Sequence, residues 1–385
     1  MGLAGLRGER VRVLVLNPGS SSLKVSVLEP PNRGPLATAS IDWGADATRA
    51  SGRASAVVAV LEELGANGVP VSSLDAVGYR VVHGGSRFTA PTLIDESVLE
   101  AIDELASFAP LHNRIAAETI RGTREALPRI PHVAAFDTAF HASMPTASYR
   151  YPVPERWFRD WGVRRFGFHG LSVMWSTERA AELLGRSIEE LRLVVAHLGS
   201  GCSVTAVDGG RSVETSMGMT PLEGLMMGTR AGSIDPGVLL ELLRRDRTTL
   251  AELSDVLDHG SGLLGVAGSA DVRELLGAEA EGDQAAKLAL ELFVRRAAAG
   301  IAGSSTALPM IDAVIFTGGI GEHSGPIRKR IVDRLAVLGI RDVGDADVRA
   351  DTVLGKSENG PAVLRVEARE DIVIAESARA ILEAG

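Results

Sequence analysis

Residues 13–16, Val-Leu-Val-Leu, form an apolar run that reads as a buried strand and breaks at Asn17-Pro18-Gly19. Three serines and Lys24 follow, and then Val25 and Val27 alternate with Ser26 at the period of a second strand. The same strand–loop–strand returns at residues 193–207, LVVAHLGSGCSVTAV. Gly19 answers to Gly199, Ser20 to Ser200 and Asn17 to His197, at one offset of 180 positions. A glycine hairpin alone is only a hairpin, but two at one offset, each opening a comparable stretch, point to a duplicated fold. Elsewhere, strand signals alternate with amphipathic helices, the α/β pattern. Helices are predicted at residues 56–64, 96–107, 115–126, 177–184, 236–245, 251–257, 284–307 and 326–338, and strands at 77–82, 132–136, 313–316 and 362–366. Asp235-Pro236 pairs an N-cap with a first-turn proline. Residues 41–53 and 341–359, rich in Gly, Asp, Ser and Arg, read as loops or exposed hairpins.

Length and composition narrow the class. A chain of 385 residues exceeds the usual single core, so two domains are expected. A net charge of −9 argues against a general nucleic-acid or anionic-membrane binder. The lone Cys202 excludes an internal disulfide framework, suits a reducing compartment and reads as a small core filler. Residues 1–10 hold no apolar run of a secretory signal, and no stretch reaches the ~20 apolar residues of a membrane span. A cytoplasmic, soluble protein is expected.

Five clusters besides the hairpins could carry chemistry. Arg80 lies in an apolar strand ending at Gly84-Gly85, where its charge needs an anion: a ligand, or a structural carboxylate. Asp137 ends a buried strand, where α/β sites collect, or else caps a helix. His169, in RRFGFHG, is an oxyanion donor or a satisfied core histidine. Residues 216–237, rich in Gly and Met with Arg230 as the only basic group, form a loop able to close over a ligand or to pack structurally. FTGGIGE, residues 316–322, is a strand, a glycine turn and a helix, which lets backbone approach a nucleotide. No Gly precedes Lys24 and its continuation is strand-like, so the first hairpin is not a Walker loop. Neither zinc-ligand spacing nor a dinucleotide fingerprint is present. Phosphoryl transfer needs positive charge, a metal between phosphates and in-line positioning, and this set can supply them.

The motifs NPGSSSLK, VGYRVVHGG, APLHN, FDTAFH, RRFGFHG, ETSMGMTPLEGLMMGTR, SGLLGVAG and FTGGIGE resemble those of the acetate kinase family, and the resemblance covers residues 11–382. That family sits in the superfamily of acetate and sugar kinases, heat-shock ATPases and actin. The resemblance implies an α/β fold of two duplicated RNase H-like (actin-like ATPase) domains flanking a catalytic cleft. Residues 1–145 plus 370–385 would form the N-terminal domain with the acyl-site residues, and 146–369 the C-terminal domain with the nucleotide site. The implied reaction is reversible transfer of the ATP γ-phosphoryl group to acetate, giving acetyl phosphate and ADP, with Mg²⁺ or Mn²⁺. A propionate or butyrate kinase, or a catalytically weak nucleotide- or acyl-phosphate-binding homologue, are the alternatives.

By the same resemblance, Asn17 and Glu370 would hold the metal, and Ser20, Ser22 and Lys24 would line the first phosphate hairpin. Arg80 and Arg230 would hold the acyl carboxylate and the transferring phosphoryl group, with Asp137 positioning the carboxylate and His169 stabilising the transition state. Val82, Leu111, Phe168 and Pro221 match the acyl pocket. His197, Gly199, Ser200, Gly201, Asp271, Val272, Arg273, Gly318, Gly319, Ile320 and His323 match the ATP segments. A homodimer with small-molecule substrates is implied, and neither nucleic acid nor membrane. An acyl carboxylate is already ionised, so an orienting Asp137 makes better chemical sense than a general base. The chain departs from the family pattern at Ser200 and His323, each in place of Asn, at Val173 in place of a second His, and at Ala231 and Ser233. Arg369 also stands beside Glu370. These changes surround the nucleotide segments, so a retained transfer centre with shifted nucleotide handling is expected.

Overall fold

The computed structural model describes residues 10–19, 22–42, 50–341, 343–344, 346–356 and 360–384. These fall into two compact units. Unit 1 takes its residues from Met1–Ala142, Phe168–Leu171 and Arg369–Gly385, and unit 2 from Ser143–Gly167 and Ser172–Ala368. The short segment Phe168–Leu171 thus groups with the first unit although residues of the second unit flank it on both sides in sequence.

Unit 1 is built on a six-stranded sheet of β1 (Val13–Pro18), β2 (Ser22–Leu28), β3 (Ala37–Asp42), β4 (Ala76–Val81), β5 (Thr92–Leu93) and β6 (His132–Phe136), in the order β3-β2-β1-β4-β6-β5. β1, β4 and β6 are parallel, whereas β2, β3 and β5 pair antiparallel. Unit 2 has β7 (Arg192–Leu198), β8 (Cys202–Asp208), β9 (Arg211–Thr215), β10 (Ala313–Thr317), β11 (Thr352–Lys356) and β12 (Ala362–Arg365), ordered β11-β12-β10-β7-β8-β9. Read from the other edge, its order and strand senses repeat those of unit 1. The duplication expected from the two hairpins holds for the whole sheet.

The central strands read as unbroken apolar runs because helices cover parallel strands. β6 and β10 are buried along their whole length. In unit 1 the helix Pro110–Ala126 packs on β1 and β4, and Glu370–Ala384 packs on β1, β4 and β6. Leu14, Leu16, Ile120 and Phe136 are buried at this core, each worth about 1.5–3 kcal/mol of transfer free energy by type, and Tyr79 is buried with them. In unit 2 the helix Gln284–Ser305 buries Ala286, Ala289, Leu290, Phe293, Val294, Ala297 and Ile301, spacing that fits one helical face, and it packs on β7 and β8. Its N-terminus is fixed by Asp283, whose side chain accepts from the amides of Ala285 and Ala286.

Helix and strand interiors lie where the hydrophobic period puts them. Asp235 caps Pro236–Arg244 as expected, accepting from the Gly237 amide at 2.8 Å. The strands without a strong sequence signal, β3, β5, β9 and β11, are all at sheet edges, where half the side chains face water. β11 falls inside the 341–359 stretch read as loop or exposed hairpin, and β3 ends at Asp42 within the 41–53 stretch. The short helices Glu155–Trp161, Gly262–Ala267 and Val272–Ala280 were not foreseen. Among the described residues no helix is long and apolar enough to cross a membrane.

Candidate active site

Parallel pairing brings the carboxyl ends of β1, β4 and β6 side by side, with Leu16 opposite Tyr79 and Arg80 opposite Ala135. Asn17, Arg80 and Asp137 therefore meet at one end of the unit 1 sheet. Arg80 donates from Nε to Asp137 Oδ1 at 3.0 Å and from Nη2 to Oδ2 at 2.6 Å, a bidentate pair. Its Nη1 reaches Asn17 Oδ1 at 3.4 Å, and its Nε lies 3.5 Å from Glu370 Oε2. Asn17 Nδ2 donates to Glu370 Oε2 at 2.9 Å. Burial works against the Arg80 charge, but Asp137 and then Glu370 outweigh it, so Arg80 holds its proton more tightly than a free guanidinium. Both Arg80 and Asp137 are thus engaged: the arginine has its carboxylate, and Asp137 faces Arg80 rather than capping a helix.

His169 is the next residue of the set to be fixed by backbone. Its φ is +59°, a left-handed conformation costly for a non-glycine residue. The turn is held on both sides. Phe168 O accepts from His141 Nε2 at 2.9 Å, and the Gly170 amide donates to Asp137 O at 3.0 Å. A Cβ at Gly170 would overlap that carbonyl, so the close approach requires glycine. Burial lowers the His141 pKa to about 4, so its ring is neutral at neutral pH. Phe168 is buried and meets the His83 ring edge-on at 5.4 Å. Val82 is buried beside His83, whose backbone Asn113 grips through both its carbonyl and its amide. Leu111 lies in the first turn of Pro110–Ala126, and its side chain is outside the described residues, as is Ser20. Ser22 opens β2, and Lys24 is exposed opposite Asn17 in the hairpin.

The two hairpins differ by one residue. Four residues separate the paired Pro18 and Leu23, and three, Gly199, Ser200 and Gly201, separate the paired Leu198 and Cys202. In this shorter loop the Gly199 amide donates to Gly201 O, and Ser200 is exposed with its carbonyl accepting from the Gly228 amide. His197 Nδ1 bonds the Ser172 hydroxyl at 2.9 Å, with Ser172 fully buried. Cys202 is buried with its thiol on Gly199 O, and burial pushes its pKa up to about 12, in keeping with a filler.

Gly318, Gly319, Ile320 and His323 lie in a short helix, Gly318–His323, opened directly by β10. His323 is largely exposed, 3.6 Å from Glu322. Asp271 caps Val272–Ala280 and pairs with the exposed Arg273, whose hydrogen bonds take its carboxyl down to about 2. Val272 is buried as the first residue of that helix. Arg230 is largely buried, which lowers its pKa against the partial support of Asp258 at 4.0 Å, and it donates to Pro221 O at 3.4 Å.

With this geometry in view, the comparison with known proteins is direct: the pattern of the acetokinase family matches residues 12–376. The chain belongs to the acetokinase family. It is 44% identical over 392 residues to the acetate kinase of Deinococcus deserti, covering 96% of this chain and 98% of that protein. Among solved structures, the acetate kinase of Porphyromonas gingivalis superposes with a TM-score of 0.88 at 33% identity, covering 97% of this chain and all of that one. A propionate kinase from Francisella tularensis does so with a TM-score of 0.87 at 34% identity, covering 96% and 99%.

Several polar residues of this acetokinase-family chain stand outside the expected site set. Glu322 is buried, accepts from the Ala368 amide at 2.9 Å and lies 3.7 Å from Arg365. Arg365, fully buried, also donates to Asp351 at 3.0 Å. Its signal was legible: an arginine ending an apolar strand, the same feature that singled out Arg80. Ser172 and His141 sit inside motifs noted for their neighbours, and nothing in the sequence marks them as partners of His197 and Phe168.

Proposed function

We propose that this chain is an acetate kinase, which reversibly moves the γ-phosphoryl group of ATP to the carboxylate of acetate. Membership of the acetokinase family supports a kinase acting on a carboxylate, with ATP and ADP as co-substrates. The observation that carries the chemistry is the Arg80–Asp137 pair with Asn17 and Glu370 around it. A carboxylate and a phosphoryl group repel, and a permanently charged, rigidly aimed guanidinium offsets that repulsion. Asp137 fixes the plane of Arg80 and does not need to take a proton, because the acceptor is ionised near neutral pH. Arg230 supplies the second cation, in a desolvated setting where its charge acts more strongly. His169, held in its strained turn, donates to the phosphoryl oxygens. His197 donates from Nε2 when the Ser172 hydroxyl donates to Nδ1.

Asn17 Oδ1 and the Glu370 carboxylate are hard oxygen donors, the kind Mg²⁺ takes in ones and twos while keeping water and phosphate oxygens. Among the described residues no cluster of three or more His, Cys, Asp or Glu could hold a metal ion by itself. A sparse Mg²⁺ site completed by nucleotide fits that donor set, and the ion would neutralise phosphate charge there. In this reading unit 1 carries the acyl-site residues Arg80, Val82, Asp137 and Phe168, and unit 2 carries Pro221, Arg230 and the nucleotide segments, in a cytoplasmic homodimer. The helix Pro236–Arg244 supports the dimer: it buries none of its residues and leaves Val238 and Leu240 exposed beside Ile234.

A propionate kinase is the second reading, favoured by the equal likeness to the Francisella tularensis structure. A hydroxamate assay with acetate, propionate and butyrate tests both. Acetyl hydroxamate formed with the highest kcat/KM supports the first reading, a propionate optimum selects the second, and no acyl phosphate from any acid overturns both. Sedimentation velocity of the same preparation tests the dimer.

A further inference from the structure

Unit 2 contains a polar joint that the proposed reaction does not use directly. Arg165 Nη1 donates to three successive carbonyls, Thr215 at 3.1 Å, Ser216 at 2.9 Å and Met217 at 3.0 Å. Its Nη2 donates to Glu223 Oε1 at 2.8 Å, and the other carboxylate oxygen accepts from the Tyr151 hydroxyl. Tyr151 in turn accepts from the Met219 amide at 3.0 Å. One guanidinium therefore gathers both ends of the stretch 215–223, and one hydroxyl holds its middle. Only arginine has a planar fork with enough donors for this arrangement, and lysine cannot reproduce it.

The joint is closely fitted. A Cβ at Gly218 would overlap both the Glu223 carboxylate and the Tyr151 hydroxyl, and Gly218 O accepts from the amides of Phe166 and Gly167. Arg165 is 16% exposed in its side chain, so these bonds are largely shielded from water. Burial and the bond to Glu223 both raise the Tyr151 pKa, which keeps its proton in place as the donor. The stretch so held contains Pro221, whose carbonyl accepts from Arg230 Nη1. A few residues on, the Gly224 amide bonds the Ser233 hydroxyl at 3.1 Å and Gly224 O accepts from the Ser233 amide at 2.9 Å, closing the loop that carries Arg230.

We infer that Arg165, Glu223 and Tyr151 are positioning residues that set Pro221 and Arg230 for the acyl substrate. The inference rests on the carboxylate-kinase reading, because it assigns the joint to the acyl side of that reaction. None of the three touches the reacting atoms in this scheme. They act through the backbone of 215–223, and losing one lets Arg230 drift from its working position.

Tyr151→Phe keeps the ring and removes only the hydroxyl, Glu223→Gln removes the charge, and Gly218→Ala wedges the same joint from a different side. Each is assayed for acyl hydroxamate with both substrates varied, and for backbone amide exchange over residues 215–230. The expected result is a fall of about tenfold to a hundredfold in kcat/KM for the acid, with the KM for ATP unchanged and faster exchange confined to that loop. Arg165→Lys should share the signature, and a Tyr151→Phe/Glu223→Gln double variant should be no worse than the poorer single. Unaltered loop exchange, or loosened exchange with wild-type kinetics for the acid, overturns the inference. Equal losses for acid and ATP also overturn it, since a general structural defect would produce them. A wild-type protein that makes no acyl phosphate instead overturns the functional reading on which the inference stands.

Discussion

Replacing Asp137 by Asn tests whether this carboxylate acts through Arg80 or on the substrate. Asp137 is fully buried and Arg80 is 17% exposed, so the pair sits where solvent screens little. Two charges about 4 Å apart at an effective dielectric of 20 attract by roughly 4 kcal/mol, and desolvation cancels part of that. Removing one partner of a buried pair costs about 3–5 kcal/mol. Asn retains one acceptor, and Glu370 stays 3.5 Å from Arg80 Nε, so the expected cost falls to about 2–3 kcal/mol. The asparagine amide also points a donor at a donor, which turns the guanidinium out of its plane. Expressed in Arg80's orientation, that cost is a drop of roughly 30-fold to 160-fold in kcat/KM. The decisive measurement is the cycle of Asp137→Asn, Arg80→Ala and the double variant in the hydroxamate assay. An orienting Asp137 has no further effect once Arg80 is gone, so the double variant should match Arg80→Ala. If Asp137→Asn still lowers the rate tenfold or more in the Arg80→Ala background, Asp137 acts on the substrate directly and the reasoning fails.

Three further outcomes follow from the geometry. His141 has its folded pKa lowered from 6.5 to about 4, so its contribution to stability is complete above pH 6.5 and is lost as pH falls towards 4, about 3 kcal/mol in all; the slope of Tm against pH in that window should be shallower in His141→Gln, and an unchanged slope would refute the assignment. Cys202, buried with its thiol raised to about 12, should resist a thiol reagent in the native protein and react once per chain after denaturation, with activity unaffected by the native treatment. Ser200→Asn, at the exposed tip of the shorter hairpin, should lower the KM for ATP a few-fold and leave the KM for the acid unchanged; an unaltered KM for ATP would remove Ser200 as a cause of shifted nucleotide handling.

How much of this was legible in the sequence depends on how each residue signals itself. Arg80 announced itself as a charge inside an apolar strand, and Asp137 as a carboxylate closing another, because burying either without a partner is costly. That the two are each other's partner depends on β4 and β6 being parallel neighbours in register, a long-range fact that local pattern does not carry. The hairpins revealed the duplication because a glycine turn between two apolar strands leaves a local mark. The edge strands β3 and β11 left little mark, since only alternate residues are covered. Ser172 and His141 are silent in sequence for a different reason: they are ordinary helix-surface and turn residue types whose roles arise from what the fold sets against them.

On the proposed reading, the repeated sheet lets one scaffold serve two kinds of site. Val13 pairs with Ala76 in unit 1, and Leu193 with Ala313 in unit 2, so Arg80 corresponds to Thr317. Val77 pairs with His132 and Val314 with Val363, so Asp137 corresponds to Ala368. The position that carries the buried ion pair in unit 1 is therefore uncharged in unit 2, where the chain runs straight into Gly318–His323. A carboxylate still serves that position, but it comes from the helix: Glu322 accepts from the amide of Ala368 itself. Its cation, Arg365, is set lower on β12 and is fully buried, so that pair braces the turn without facing a ligand. Unit 1 thus presents a fixed guanidinium, suited to carboxylate and phosphoryl oxygens, and unit 2 presents bare glycine backbone, suited to close approach by a nucleotide. The division of labour follows from where each copy of the sheet sets a buried arginine against carboxylates: Arg80 at the strand ends in unit 1, and Arg365 behind them in unit 2.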